Sequence, residues 1–262
     1  MKKKLGQHFL NNQKAIRAII AALDLKPNDV IIEIGPGRGA LTQELRITNP
    51  ELRIIGIEKD SRLVDSLKKR FATGKKTEII HGDALKIIPV LTANPSLLTS
   101  YKLVGNIPYY ITGRLFRILS ELNNKPELSV FTIQKEVAFR LTAKPPKMNL
   151  LAASVQIWAN VGIIMSLKPR DFTPEPKVSS SVIKIIPKTD LPREDELNRY
   201  YKFIKTAFSQ PRKTLANNLK GLSNKSKFDF TGFFEKCGLT GLARPQDLDV
   251  KKINCLVKNL LF

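Results

Sequence analysis

VIIEIGPGRGALTQELR, residues 30–46, decides the fold class. Its opening run, VIIEIG (30–35), is short, apolar and β-branched, which reads as a buried strand. The next residues, Gly35, Gly37 and Gly39 around Pro36 and Arg38, read as a turn, and ALTQELR (40–46) carries a helical pattern. Strand, glycine turn and helix in this order open a doubly wound α/β unit. The spacing from Glu33 onward is GxGxG, not the GxGxxG of a dinucleotide fold. Glycines here let a ligand approach the backbone, and the helix that follows offers free N–H groups. A plain strand–helix turn would use the same residues.

Working outward, RIIGIE (53–58), TEIIHGD (77–83), YKLVGNIP (101–108) and LSVFTIQK (128–135) predict four more strands. Helical patterns lie between and after them at DSRLVDSLKKRF (60–71), ITGRLFRILSEL (111–122) and KEVAFRLTA (135–143), with Asp60 suited to cap the first and Thr112 near the start of the second. The alternation predicts a mostly parallel, Rossmann-like sheet. VGIIMSL (161–167) and SSVIKIIP (180–187), joined by the Pro-rich KPRDFTPEPK (168–177), predict an antiparallel hairpin at its edge. Residues 150–167 are uncharged, but Ser154, Gln156, Asn160 and Gly162 interrupt them, so a buried helix followed by a strand is expected rather than a membrane span. After Pro187 the charged TDLPREDEL (189–197) reads as a linker, and helical periodicity fills the rest. The expected division is a catalytic domain, 1–188, and a small all-helical domain, 189–262.

The 262 residues are 42% apolar and 26% charged, the balance of a globular protein. Lys and Arg number 44 against 23 Asp and Glu, a net charge of +21. Residues 191–262 hold 14 basic and 7 acidic side chains, so the excess is not confined to a tail. Such a surface suits a polyanion, nucleic acid before membrane. Cys237, Cys255, His8 and His81 are too few and too scattered for a zinc cluster, so no metal is expected. Two cysteines suit a reduced, cytoplasmic protein, and the start, MKKKLGQHF, has no apolar core of a signal peptide.

In open α/β sheets ligands bind beyond the carboxyl ends of the strands. After the first strand stands the glycine loop from Glu33 to Gly39. After the second stands Glu58, placed to accept ribose hydroxyls or to sit as a surface acid. After the third stands Asp83, followed by Ala84; its carboxylate suits an adenine amino group or a helix cap. These features describe an adenosine-bearing cofactor without a long phosphate chain. After the fourth stand Asn106, Ile107, Pro108 and Tyr109. They offer an amide oxygen, a backbone carbonyl and a ring face, which a flipped adenine needs as two acceptors and a stacking partner.

With those residues in place, the chain resembles the ribosomal RNA adenine dimethyltransferases. The resemblance rests on GQHFL (6–10), EIGPGRG (33–39), Glu58, GDA (82–84), NIPY (106–109), QKEVAFRL (134–141), FTPEPKVSSSV (172–182) and FSQPRKTLANNL (208–219). It departs at Ser179, often acidic in the family, and in lacking a Tyr-Gly near 145–151. It implies S-adenosyl-L-methionine as cofactor, with His8 and Leu10 bordering it, Gly35 at its methionine part, Glu58 at its ribose, Asp83 at its adenine and Asn106 touching cofactor and target. Phe172 would pack on the target base. It further implies dimethylation of N6 on adjacent adenosines near the 3′ end of small-subunit (16S) rRNA, in an immature 30S particle, by a monomer. Arg212, Lys213 and Lys220 would face the RNA. The alternatives are a large-subunit rRNA methyltransferase of the erythromycin-resistance type and a non-catalytic assembly factor on the same fold.

Overall fold

The computed structural model describes residues 7–72, 76–94, 98–220 and 231–259. In chain order the elements are β1 (Phe9–Leu10), α1 (Gln13–Ala22), β2 (Val30–Ile34), α2 (Ala40–Thr48), β3 (Arg53–Glu58), α3 (Ser61–Arg70), β4 (Thr77–His81) and α4 (Ala84–Thr92). Then follow β5 (Lys102–Asn106), α5 (Thr112–Glu121), β6 (Leu128–Gln134), α6 (Lys135–Leu141), α7 (Leu150–Gln156), β7 (Ala159–Leu167), β8 (Phe172–Thr173) and β9 (Ser180–Pro187). The chain closes with α8 (Glu194–Ala207), α9 (Leu215–Leu219), α10 (Thr231–Glu235) and α11 (Val250–Asn259). Among the described residues no helix is long and apolar enough to cross a membrane.

Two compact units form, and the chain passes between them more often than the sequence suggests. The first unit comprises residues up to Ala138 together with Val161–Pro187; the second comprises Phe139–Asn160 together with the residues from Lys188 onward. The border after Pro187 falls one residue from the expected one. The transfer of 139–160 to the helical unit was not expected, because the sequence reading placed all of 1–188 in one domain.

The first unit is built on a seven-stranded sheet in the order β4-β3-β2-β5-β6-β9-β7. The pairs among β4, β3, β2, β5 and β6 are parallel, and β9 runs antiparallel to β6. This is the expected Rossmann-like sheet with its antiparallel edge. Strand order reverses between β2 and β5, so a crevice opens where the glycine loop and Asn106 leave the sheet. Gly105 keeps these two strands close: a Cβ on it would come 2.5 Å from the Ile34 carbonyl oxygen.

One sheet face carries Ile31, Val104, Leu128, Val130 and Val182, which pack with Ala15, Ile16, Ile19 and Ile20 of α1. Each large side chain so buried contributes about 1.5–3 kcal/mol. Helix α1 is specified by that apolar stripe and by Asn12, whose Oδ1 accepts from Ala15 N at 3.2 Å. On the opposite face Phe131 meets Phe116 of α5 edge-on, ring centroids 6.5 Å apart. At the amino end of β5 the buried Lys102 donates to Asp29 Oδ2 and to the Asp24 carbonyl, both at 2.6 Å. Its charge is thus paired, as burial demands.

The second unit is helical around Tyr200, Phe203, Ile204, Leu215, Phe234, Ile253 and Leu256. The segment 139–160 is tied in by hydrogen bonds: Tyr200 Oη donates to the Ala153 carbonyl at 3.1 Å, and Met148 N to the Gln246 carbonyl at 3.1 Å. Residues 194–197, read as linker, are the first turn of α8; Glu194, Asp195 and Glu196 suit the positive end of the helix, and Glu196 Oε2 accepts from Arg193 N at 3.0 Å. Cys237 and Cys255, read as reduced thiols, are joined in a disulfide, their Cα atoms 5.7 Å apart. They are 18 residues apart in sequence, and α10 and α11 bring them together.

Candidate active site

The cavity at the β2–β5 crevice has a volume of about 350 Å³ and lies within the first unit. Of the residues expected at a site, His8, Leu10, Glu33, Gly35, Gly37, Glu58, Asn106, Ile107, Pro108, Tyr109 and Phe172 all line it. Gly39, Asp83 and Ala84 stand outside the lining. Gly39 opens α2, its Cα turned toward Phe71 and Leu67. Asp83 caps α4, accepting from Leu85 N at 3.0 Å, and pairs with Lys59 Nζ at 2.9 Å. Burial opposes ionisation of Asp83, but Lys59 and the Leu85 N–H outweigh it and hold the carboxyl below its ordinary range.

The loop after β2 turns on three glycines with φ of +66°, +60° and +77° at 35, 37 and 39, a region that disfavours side chains. Glu58, at the end of β3, is nearly fully buried and holds this loop. Its Oε2 accepts from Gly37 N at 3.0 Å, and its Oε1 from Lys59 N and Asp60 N, both at 2.9 Å. Three N–H donors fix the carboxylate plane and leave a lone pair on Oε2 able to meet a hydroxyl in the cavity.

Glu33 shares the cavity with Glu58 and is 2% exposed. Burial raises its carboxyl to about 7, a hydrogen bond from Thr42 Oγ1 at 2.6 Å opposes the rise, and the negative Glu58 adds to it. Two carboxyls in one apolar cavity make it receptive to a cation.

A strap formed by residues 7–12 covers the loop. Leu10 pairs with Phe172 and Phe9 with Thr173 in the two-stranded β1–β8 ribbon. Asn12 Nδ2 donates to Asp171 Oδ1 and Asn11 Nδ2 to Thr173 Oγ1, both at 2.8 Å. The Phe9 ring lies against Gly37, where an added Cβ would come within 2.9 Å of it, and Arg38 sits over the ring 4.7 Å from its centroid. His8 Nδ1 donates to the Pro174 carbonyl at 2.7 Å, since that oxygen can only accept. The strap's main contribution is to Asn106: its Nδ2 donates to the His8 carbonyl at 2.6 Å. The amide nitrogen being so engaged, Oδ1 is the atom left to face elsewhere.

Ile107 N donates to the Thr132 carbonyl at 3.0 Å, which orients the Asn-Ile-Pro turn. Tyr109 hydrogen-bonds Ser180 Oγ through its hydroxyl at 3.0 Å, and its ring stacks with His8, centroids 6.3 Å apart. Phe172 is both a core residue and a wall of the cavity. Gln7, Phe9, Ile16, Ile19, Arg38 and Thr132, not expected at a site, also line it.

In the second unit Arg212, Lys213 and Lys220 are exposed. The first two ride on a turn organised by buried Asn218. Its Oδ1 accepts from Ser209 Oγ at 3.0 Å and Gln210 N at 2.9 Å, while its Nδ2 donates to the carbonyls of Gln210 and Thr214, both at 3.1 Å. That explains Ser209 and Asn218 of FSQPRKTLANNL: their side chains build the turn.

A model of the family described as ribosomal RNA adenine dimethylase matches residues 1–257. The chain is 36% identical to the ribosomal RNA small subunit methyltransferase A of Dehalococcoides mccartyi over 259 residues, covering 98% of this chain and 88% of that protein. It is 35% identical to the protein of the same name from Lactobacillus acidophilus, covering 99% and 91%. Among solved structures, a dimethyladenosine transferase from Plasmodium falciparum superposes with a TM-score of 0.76 at 26% identity, covering 95% of this chain and 96% of that one. The 23S rRNA methyltransferase ErmE shares the fold, with a TM-score of 0.75 at 23% identity over 95% and 98%.

Proposed function

The chain belongs to the ribosomal RNA adenine dimethylase family, and on that premise we propose that it transfers two methyl groups from S-adenosyl-L-methionine to N6 of each of two adjacent adenosines near the 3′ end of small-subunit rRNA. It is an rRNA adenine methyltransferase. The observation that carries the finer reading is the Asn106 amide in the lining of the cavity, pinned through its nitrogen by the His8 carbonyl so that its Oδ1 is the atom left to accept from a ligand.

The cavity suits the cofactor: three glycines leave the β2 loop open, Glu58 is held by three N–H groups beside it, and Glu33 and Glu58 favour positive charge. Glu58 would hold the ribose, Gly35 and Gly37 the methionine part, and His8 and Leu10 the border. Asp83 and Ala84 would meet the adenine from the end of β4, with Gly39 shaping the loop. The cofactor, when bound, supplies a methyl activated by a sulfonium. The remaining work is positioning. The N6 lone pair of adenine is delocalised into the ring. Asn106 Oδ1 and the Ile107 carbonyl would accept its two N–H bonds and turn the lone pair out of the ring plane, toward the methyl. Tyr109 and Phe172 would hold the ring, and Pro108 fixes the turn between them. This is preorganised electrostatics and orientation; the N6 proton displaced at each transfer leaves to water, so no side-chain base is required.

Arg212, Lys213 and Lys220 would bind RNA phosphates from the helical unit, and the substrate would be an immature 30S particle approached by a monomer in the cytoplasm. The test is methylation of immature 30S particles by purified protein, with the modified nucleosides mapped by mass spectrometry. Dimethyladenosine at two neighbouring positions is expected. Methyl transfer only to 50S particles, or none, would overturn the reading.

A further inference from the structure

One hydroxyl in the cavity has no part in this chemistry. Thr132 lies in β6, is 1% exposed and lines the cavity, and its Oγ1 has no hydrogen-bond partner among the described residues. Valine has the same shape, favours strands equally and would leave no buried hydroxyl unpaired. Ser129 and Ser181 also carry unpaired buried hydroxyls, but neither lines the cavity.

The register fixes where Thr132 faces. It is the partner of Asn106 across the parallel β5–β6 pair, so the two side chains leave the same face of the sheet. Val104 and Val130 leave that face two residues earlier, packing in one cluster with α1 and Phe172. The Thr132 carbonyl also takes the Ile107 N–H at 3.0 Å. Thr132 therefore lies across the strand pair from Asn106 and one backbone hydrogen bond from Ile107, two strands away from the glycine loop.

We propose that Thr132 Oγ1 donates a hydrogen bond to a ring nitrogen of the target adenine and holds the base through both methyl transfers. The reasoning rests on the reading of the site as an adenine-N6 dimethylating one. The ring nitrogens on either side of the exocyclic amine, N1 on one edge of the base and N7 on the other, carry lone pairs and no hydrogen. The amine loses one N–H at the first transfer, so one of the Asn106 and Ile107 contacts is lost with it. A ring nitrogen keeps its lone pair, so the Thr132 contact is the same for adenine and for its monomethyl form. Its relative weight is therefore greater in the second transfer.

The test compares wild type, Thr132→Val and Thr132→Ser as full chains. Melting curves, calorimetry with S-adenosyl-L-methionine and single-turnover methylation of immature 30S particles are measured, with monomethyl- and dimethyladenosine resolved. For the valine variant we expect unchanged or higher thermal stability and cofactor affinity within about twofold of wild type. Methyl transfer should fall about 3- to 10-fold, the worth of one neutral hydrogen bond, with monomethyladenosine accumulating. Serine should restore the product ratio. Unchanged rate and ratio, a lower melting temperature, or a loss confined to cofactor affinity would each overturn the inference. A wild-type protein that methylates no adenine would overturn the functional reading itself, and the inference with it.

Discussion

Replacing Glu33 by glutamine should stabilise the cofactor-free protein at and above neutral pH and leave it almost unchanged below about pH 4.5. The carboxyl rises from an ordinary 4.5 to about 7 in the folded state, with burial the largest cause. A raised value means the folded state binds the proton more tightly than the unfolded one. The resulting stabilisation is complete below about pH 4.5 and is lost as pH rises through about 7. At about 1.4 kcal/mol per pH unit of difference, ionised Glu33 costs about 3 kcal/mol of folding free energy at pH 8.5. Glutamine never ionises, and its Oε1 can still accept the Thr42 hydroxyl that Glu33 accepts at 2.6 Å. Urea unfolding of both proteins from pH 5 to 8.5 reads the effect directly. The curves should lie within about 1 kcal/mol of each other at pH 5, separate as pH rises to about 7 and run parallel above it, with the variant ahead by roughly 3 kcal/mol. A constant offset at every pH, or a wild type that is the more stable at pH 8.5, would refute the assignment of a protonated buried carboxyl. Saturating S-adenosyl-L-methionine should narrow the gap, because a cation in the cavity favours the ionised form.

Asn106→Ala should lower single-turnover methyl transfer by at least ~10²-fold, as for loss of one preorganised polar group, and reduce cofactor affinity less; a folded variant with near-normal transfer would remove the asparagine from the chemistry. Glu58→Ala should weaken S-adenosyl-L-methionine binding by roughly tenfold or more, from charge-assisted hydrogen bonds of ~1.5–3 kcal/mol each, and calorimetry with unchanged affinity would take Glu58 out of the cofactor site. Arg212→Ala with Lys213→Ala should lower the slope of log affinity against log salt by about 1.4–1.8 for RNA or subunit binding, while cofactor affinity stays the same. An unaltered slope would move the RNA face elsewhere.

What the sequence made legible followed local signals. The five parallel strands were marked by β-branched runs, the glycine loop by its spacing, and Glu58 and Asn106 by standing at strand ends. Helix α4 was passed over because ALKIIPVLT is apolar almost throughout and shows no period, with Pro89 inside it. Asp83 shows how one residue type serves two readings: its cap is visible in the structure, and a cap looks the same in sequence as a ligand acid. The rest depends on pairings across long stretches of chain. Thr132 is an ordinary strand threonine until register sets it opposite Asn106. Phe9 is an ordinary aromatic until it lies on Gly37. Residues 139–160 carry no change of composition to announce that they join the helical unit, and nothing local pairs Cys237 with Cys255.

The strap over the glycine loop sets an order on how the site comes into being. Its hydrogen bond to Asn106 closes a span of 98 residues, and the pairing of Leu10 with Phe172 closes one of 162. Contacts between such distant parts of a chain pay loop entropy before they return anything, so they form late. On the ribosome the strap emerges ahead of Asn106 by 98 residues and ahead of Phe172 by 162. A nascent chain therefore displays its glycine loop and its Asn-Ile-Pro turn without the full strap until Phe172 has been made, and its asparagine acquires a fixed orientation only once the strap has folded back onto β8.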